Sequence, residues 1–269
     1  MVSVPGRRLQ VAHAQKRWKL PLRRACALLA VARSSASNTS KRALRDAPAL
    51  KRMGELAAQY PRYGYRRIRN FVGRDGFRMG VDRAHRLWRA SNLQVPRKRV
   101  RRRVAAARPR PTPPSGPNHV WAYDFVFDAC ADGKVLKCLT VVDEWTRECL
   151  AIDVAGTIRS ARVIEVLARL VSIHGAPAFM RSDNGPEFVS KSILKWIIDE
   201  GIGSALSDPG KPWQNGGDES FNGKIRDECL SMEYFRSHPE AIATIETWRT
   251  HYNDVRPSLQ PGLPHSKRV

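Results

Sequence analysis

Apolar residues recur every three or four positions in the first third of the chain and in short alternating runs after residue 119, so the pattern changes from helices to strands. Leu9 to about Ser34 predicts one or two short helices, with Leu29, Ala30 and Val31 on an apolar stretch, while residues 34 to 46 show no clear helical pattern. From Pro48, the spacing of Leu50, Met53, Leu56 and Ala57 predicts a helix that Tyr60-Pro61 ends. A second helix fits Tyr65 to Val72, stopping before Asp75-Gly76, and a third fits Val81 to Leu93. Three short helices with tight polar breaks predict a helix-turn-helix-like unit.

Beyond residue 118, His119 to Asp128 and Val135 to Asp143 read as strands joined by the turn residues Asp132-Gly133, and Cys149 to Val154 as a third. Ser160 to Ile173 reads as a helix stopped by His174-Gly175, then Ala178 to Asp183 as a strand and Ser190 to Asp199 as a helix. Ile202 to Leu206 completes the strands, and helices follow over Asp218 to Met232 and Pro239 to Tyr252. Three strands in a meander followed by alternating helices and strands predict an α/β fold with a mixed sheet, the element order of the ribonuclease-H-like class.

Charge adds a second division. The formal charge is +22, but residues 1–118 carry 30 Lys and Arg against Asp46, Glu55, Asp75 and Asp82, or +26, and the remainder is −4. A basic half joined to a mildly acidic half fits a grip on a polyanion attached to a carboxylate-bearing site. Between the halves, residues 95–117 carry Arg97-Lys98-Arg99 and Arg101-Arg102-Arg103, then Pro109, Pro111, Pro113, Pro114 and Pro117, with too few apolar residues to offset ordering entropy; they read as a linker whose basic clusters track phosphates. Arg83, Arg86 and Arg89 recur every three residues on the third helix, where they can meet DNA or simply form a solvated basic face.

Cys26, Cys130, Cys138, Cys149 and Cys229 form no C-x-x-C pair, so they are expected as buried small hydrophobes in an intracellular chain rather than ligands or disulfides. His119, His174 and His251 are dispersed singletons that suit core or capping roles, and no zinc site is expected. Neither a secretory leader nor a membrane span is expected from the apolar pattern.

Three carboxylates carry the candidate chemistry. Asp124 lies among aromatics inside a predicted strand, where alternation turns it away from Tyr123 and Phe125, and a charge there is costly unless it is used. Asp183 ends a strand in Arg181-Ser-Asp-Asn-Gly-Pro-Glu-Phe188, at the carboxyl edge where α/β sites collect, although Asp-Asn-Gly by itself also serves as a plain turn. Glu219 opens a helix on which, at ~100° per residue, Asn222 and Arg226 fall within ~60° of it and Phe221 and Ile225 oppose it. The preceding Ser207 to Gly217 loop, with Lys211, is rich in glycine and proline and reads as a mobile segment at the site mouth. Three such carboxylates can hold two Mg²⁺ ions ~3.5–4 Å apart, or Mn²⁺ in their place, and Arg226 can hold a phosphate beside them or pair with a surface acid.

Here a resemblance becomes visible. Asp183 and Glu219 enclose 35 residues, and Arg226 stands seven positions after Glu219, which resembles the D-D-35-E-K/R signature of retroviral integrases and their bacterial relatives. Val120-Trp-Ala-Tyr-Asp-Phe, Thr140-Val-Val-Asp-Glu-Trp-Thr-Arg-Glu148, Arg181 to Phe188 and Asp218-Glu-Ser-Phe-Asn-Gly-Lys-Ile-Arg-Asp-Glu-Cys-Leu230 look like second-frame (OrfB-type) transposases of bacterial insertion sequences. Tyr60-Pro-Arg-Tyr-Gly-Tyr-Arg-Arg-Ile68 is similar to their upstream helix-turn-helix, which makes Arg66 and Arg67 candidate DNA contacts beside Arg83, Arg86, Arg89, Lys211, Asn222 and Arg226.

The resemblance implies a ribonuclease-H-like catalytic domain, with Asp124, Asp183 and Glu219 as catalytic metal ligands for cleavage at element ends and attack of the freed 3′-hydroxyl on DNA. It also implies an oligomer on the terminal inverted repeats and target DNA, a first-frame partner protein, and a cytoplasmic, nucleoid-associated bacterial protein. On this reading, residues 1–46 are a basic helical segment, 47–95 the DNA-binding unit, 96–118 the linker, 119–235 the integrase-type core and 236–269 a C-terminal helix and tail. His251-Tyr-Asn-Asp-Val-Arg-Pro257 continues into Ser258 where the family has histidine. With that altered tail, a catalytically inactive remnant that only binds DNA stands as the alternative, and a nuclease that never joins ends as another.

Overall fold

The computed structural model describes residues 4–37, 41–96, 112–182, 190–205 and 216–257. The chain divides into two compact units, Met1–Glu55 and Leu56–Val269. In the first, α1 (Val4–Trp18), α2 (Leu22–Leu28) and α3 (Arg33–Ser37) fold around Val11, Ala14, Ala25 and Cys26. Helix α4 (Arg42–Gln59) runs through the expected boundary at residue 46 and starts before Pro48, which sits inside it. The expected start at Pro48 is therefore corrected: a proline there costs one backbone hydrogen bond, but Asp46 and Ala49 on either side of it are buried.

In the second unit, after the last residues of α4, α5 (Tyr65–Arg74) and α6 (Val81–Ala90) bury Ile68, Phe71 and Val72 together with Ala84, Leu87 and Trp88. Both carry the apolar stripe of an amphipathic helix, and their outer faces hold the arginines. Helix α6 stops three residues earlier than its pattern predicts, with the Leu93 amide bonded back to the Trp88 carbonyl at 3.2 Å.

The sheet has the order β3-β2-β1-β4-β5, from β1 (Val120–Ala129), β2 (Val135–Asp143), β3 (Cys149–Ala155), β4 (Phe179–Arg181) and β5 (Gly203–Ser204). Strands β1, β2 and β3 are antiparallel neighbours, while β4 and β5 add in parallel. At the β1–β2 turn Gly133 takes φ +80°, and the Lys134 amide bonds Asp132 at 3.1 Å, as Asp-Gly chemistry requires. Gly175, also at φ +80°, ends α7 (Ser160–His174). Ser190 caps α8 (Lys191–Asp199), and Ser237 caps α10 (His238–Asp254).

Each face of the sheet buries its own core. Trp121, Tyr123 and Phe125 pack with Leu139, Val141, α7 and α8, whereas Val126, Leu136, Cys138 and Val142 pack with α9 (Gly216–Ile225) and α10. Strand alternation thus decides which cover layer each β1 residue meets. All five cysteines are buried, and burial pushes Cys138 and Cys229 up to about 12, so neither is a thiolate at neutral pH. Among the described residues no helix is long and apolar enough to cross a membrane.

Candidate active site

Asp124 is half-buried near the middle of β1, directly opposite Thr140 of β2, and turned to the α9 side as alternation predicts. Its Oδ1 accepts its neighbour Phe125 N–H at 2.7 Å, and its Oδ2 accepts the Asn222 side-chain amide at 2.7 Å. Thr140 completes the arrangement: its hydroxyl lies 3.1 Å from the Asp124 carbonyl and 3.2 Å from Asn222 Oδ1, with one proton to give to either. A strand residue, its cross-strand neighbour and a helix residue therefore fix one carboxylate.

Asn222 was expected to face DNA beside Glu219. Instead it is 4% exposed and spends its amide on Asp124 and Thr140, because Phe221 and Ile225 draw that side of α9 into the core. Glu219, one turn earlier on the same helix, is exposed. Arg226 is exposed too, but it opens a π-helical turn, Arg226–Leu230, in which the Ser231 amide reaches back to the Arg226 carbonyl at 2.8 Å. The regular helix expected to Met232 ends at Ile225, and the wider turn lets Cys229 and Leu230 enter the core.

Asp183 and Lys211 lie outside the described residues. Just before Asp183, Arg181 is fully buried, with Nε 3.1 Å from Glu144 Oε1 and Nη2 donating to the Thr112 carbonyl at 2.6 Å. Asp143 accepts the amides of Asn118, Trp145 and Thr146 at 2.6, 2.7 and 3.0 Å, so it shapes the β2–β3 turn. Asp143 and Glu144 of the Thr140 to Glu148 phrase thus serve the scaffold of the sheet.

Arg67, expected as a DNA contact, is partly buried and ion-paired. Its Nη1 donates to Glu228 Oε1 at 3.1 Å, and Arg256 holds the same carboxylate bidentately at 2.8 and 2.7 Å. Burial works against both cations. For Arg256 the Glu228 carboxylate outweighs it and the pKa rises, whereas for Arg67 burial and neighbouring Arg256 prevail and it falls. Beside them Tyr60 stacks on Tyr63, Phe71 and His251 with centroids 5.1, 5.1 and 5.3 Å apart, so His251 takes a packing role. Arg66, Arg86 and Arg89 are exposed and Arg83 is half-buried. Thr140, Glu228 and Arg256 were not singled out from sequence; polar residues standing at core positions were the available sign.

An integrase core domain profile matches residues 114–212, and a second integrase core domain profile matches residues 200–259. The 31.7 kDa protein of insertion element IS407 from Burkholderia multivorans is 40% identical over 235 residues, covering 87% of this chain and 85% of that one. The 39.2 kDa protein of insertion element IS476 from Xanthomonas euvesicatoria is 38% identical over 240 residues, covering 89% and 69%.

The chain belongs to the insertion-element transposases with an integrase core.

Among solved structures, the magnesium complex of the HTLV-2 integrase catalytic core in its dimeric form is 18% identical, with a TM-score of 0.41 over 53% of this chain and 91% of that one. Membership gives this transposase a DNA transposition or integration function. Its mixed sheet, with a three-strand meander followed by parallel β4 and β5, is the ribonuclease-H-like arrangement expected from the element order.

Proposed function

We propose that this transposase cuts DNA at the ends of its element and joins the freed 3′-hydroxyl to target DNA, with Asp124, Asp183 and Glu219 holding two Mg²⁺ ions. The observation that carries the reading is the Asn222–Asp124 bond at 2.7 Å, which ties the helix of Glu219 to the strand of Asp124. The parallel register adds to it: Ala122 pairs with Arg181, and Asp124 and Asp183 each follow by two positions in sequence. The donor chemistry fits, since carboxylate oxygens are hard ligands suited to Mg²⁺ or Mn²⁺, and the half-buried Asp124 carboxylate is held in place by Asn222.

When bound, the ions supply Lewis-acid activation of the attacking oxygen and stabilisation of the leaving oxygen. The protein's part is positional. Asn222, itself within reach of the Thr140 hydroxyl, holds the Asp124 carboxylate in one orientation, exposed Glu219 faces the solvent from which DNA approaches, and Arg226 offers a forked cation to a phosphate. Exposed Arg66, Arg86 and Arg89 serve the DNA grip. Two ends must be brought together, so at least two copies act on DNA, and the same reading includes a first-frame partner.

A strand-transfer assay with labelled element-end DNA and Mg²⁺ tests it. Asp124→Asn and Glu219→Gln should each lose about 10³-fold in joined product, equivalent to several kcal/mol of metal-derived stabilisation. Undiminished product with Asp124→Asn sinks the assignment. Binding without cleavage in either Mg²⁺ or Mn²⁺ selects instead a DNA-binding remnant.

A further inference from the structure

The arginines of α5 have two fates. Arg67 turns inward to Glu228, while Arg69 and Arg74 line an open cleft of about 590 Å³ together with Asn70, Gly73, Arg78, Met79 and Pro257. Among the described residues, three guanidinium groups line this cleft, with no carboxylate and no aromatic ring. A phosphate can be gripped there by forked donors, but a base finds no stacking platform.

The cleft is built rather than loose. Ile68, Phe71 and Val72 fix α5 from beneath, and Arg69 Nη2 donates to Asn70 Oδ1 at 3.2 Å. Arg74 lies 5.2 Å over the Phe71 ring and donates to the Val255 carbonyl at 2.8 Å, tying α5 to the end of α10. A second tie is the Glu228 carboxylate, shared by Arg67 of α5 and by Arg256, the residue before the lining Pro257. Side chains already held lose less rotamer freedom on binding. On the floor, a Cβ at Gly73 would meet nothing within 4 Å, which leaves room for a group to approach the helix backbone.

We propose that this cleft seats the phosphate backbone of duplex DNA, as a sequence-independent contact separate from the α6 arginines. It rests on the reading of this chain as a DNA transposase and adds a second, positioning contact to it. None of these residues belongs to the candidate active site.

Fluorescence anisotropy of a labelled duplex with the full chain, over roughly 50–200 mM salt, tests the assignment. The double variant Arg69→Ala/Arg78→Ala should flatten the slope of log K against log salt by about 1.8, close to 0.9 for each lost phosphate contact. Its loss should be equal on element-end and unrelated duplexes. Gly73→Glu, whose Cβ meets nothing within 4 Å and which brings a carboxylate to the cleft, should weaken binding about tenfold, and Gly73→Ala should bind like the parent. An unchanged slope for the double variant together with parental affinity for Gly73→Glu overturns the cleft alone. A loss confined to element-end DNA overturns its sequence-independent character. A parent chain that binds no duplex at any salt overturns both the cleft and the transposase reading beneath it.

Discussion

Replacing Glu228 with glutamine should destabilise the second unit sharply. The carboxylate is 6% exposed and accepts Arg256 at 2.8 and 2.7 Å and Arg67 at 3.1 Å, while the Arg256 side chain is 8% exposed. Glutamine keeps the shape but removes the only formal negative charge these hydrogen bonds reach, and turns an N–H₂ toward guanidinium donors. Buried Arg256 and partly buried Arg67 then repel across a space that one anion had bridged. Removing one partner of a buried ion pair costs about 3–5 kcal/mol, because the remaining charge stays desolvated. At ~2–4 °C per kcal/mol for a unit of this size, the melting temperature should fall by roughly 10 °C. Thermal unfolding followed by circular dichroism reads this directly. Adding Arg67→Met to Glu228→Gln should recover part of the loss, since one uncompensated cation is removed. A melting temperature within about 2 °C of the parent for Glu228→Gln would refute the reasoning.

Two further outcomes follow from the same packing. Asn222→Ala should fold but lower strand transfer by about 10–100-fold, the usual effect of removing a partner that orients a metal ligand; parental rates in Mg²⁺ would show that Asp124 needs no such support. Burial, with Arg256 nearby, lowers Lys224 to about 8, so the folded state releases its proton before the unfolded state does. Between about pH 8 and 10 the unfolded chain holds more protons at this site, and stability relative to Lys224→Met should rise. Buried Cys138 and Cys229, pushed up to about 12, act in the opposite direction above about pH 9, so the difference between the two proteins is the quantity to follow by denaturant titration. A flat difference would refute the Lys224 assignment.

Much of the architecture was legible in the sequence because it depends on local physics. Two-residue alternation in β1 already separated Asp124 from Tyr123 and Phe125, since successive side chains of a strand must point to opposite faces. Asp132-Gly133 and His174-Gly175 marked their turns because glycine takes positive φ without penalty, and both glycines adopt it. The start of α4 was missed because burial around Pro48 overrode the local preference against proline inside a helix.

At the candidate site the same division holds. The carboxylates and their spacing were visible as residue types along one dimension. That Asn222 faces inward to Asp124, and that Arg67 pairs with Glu228, was not. A helical wheel says which residues share a face but not what lies opposite, and Arg67 stands 161 positions from its acid. Pairings of that kind exist only once distant segments are packed, when a buried charge must find its partner wherever the fold has brought one.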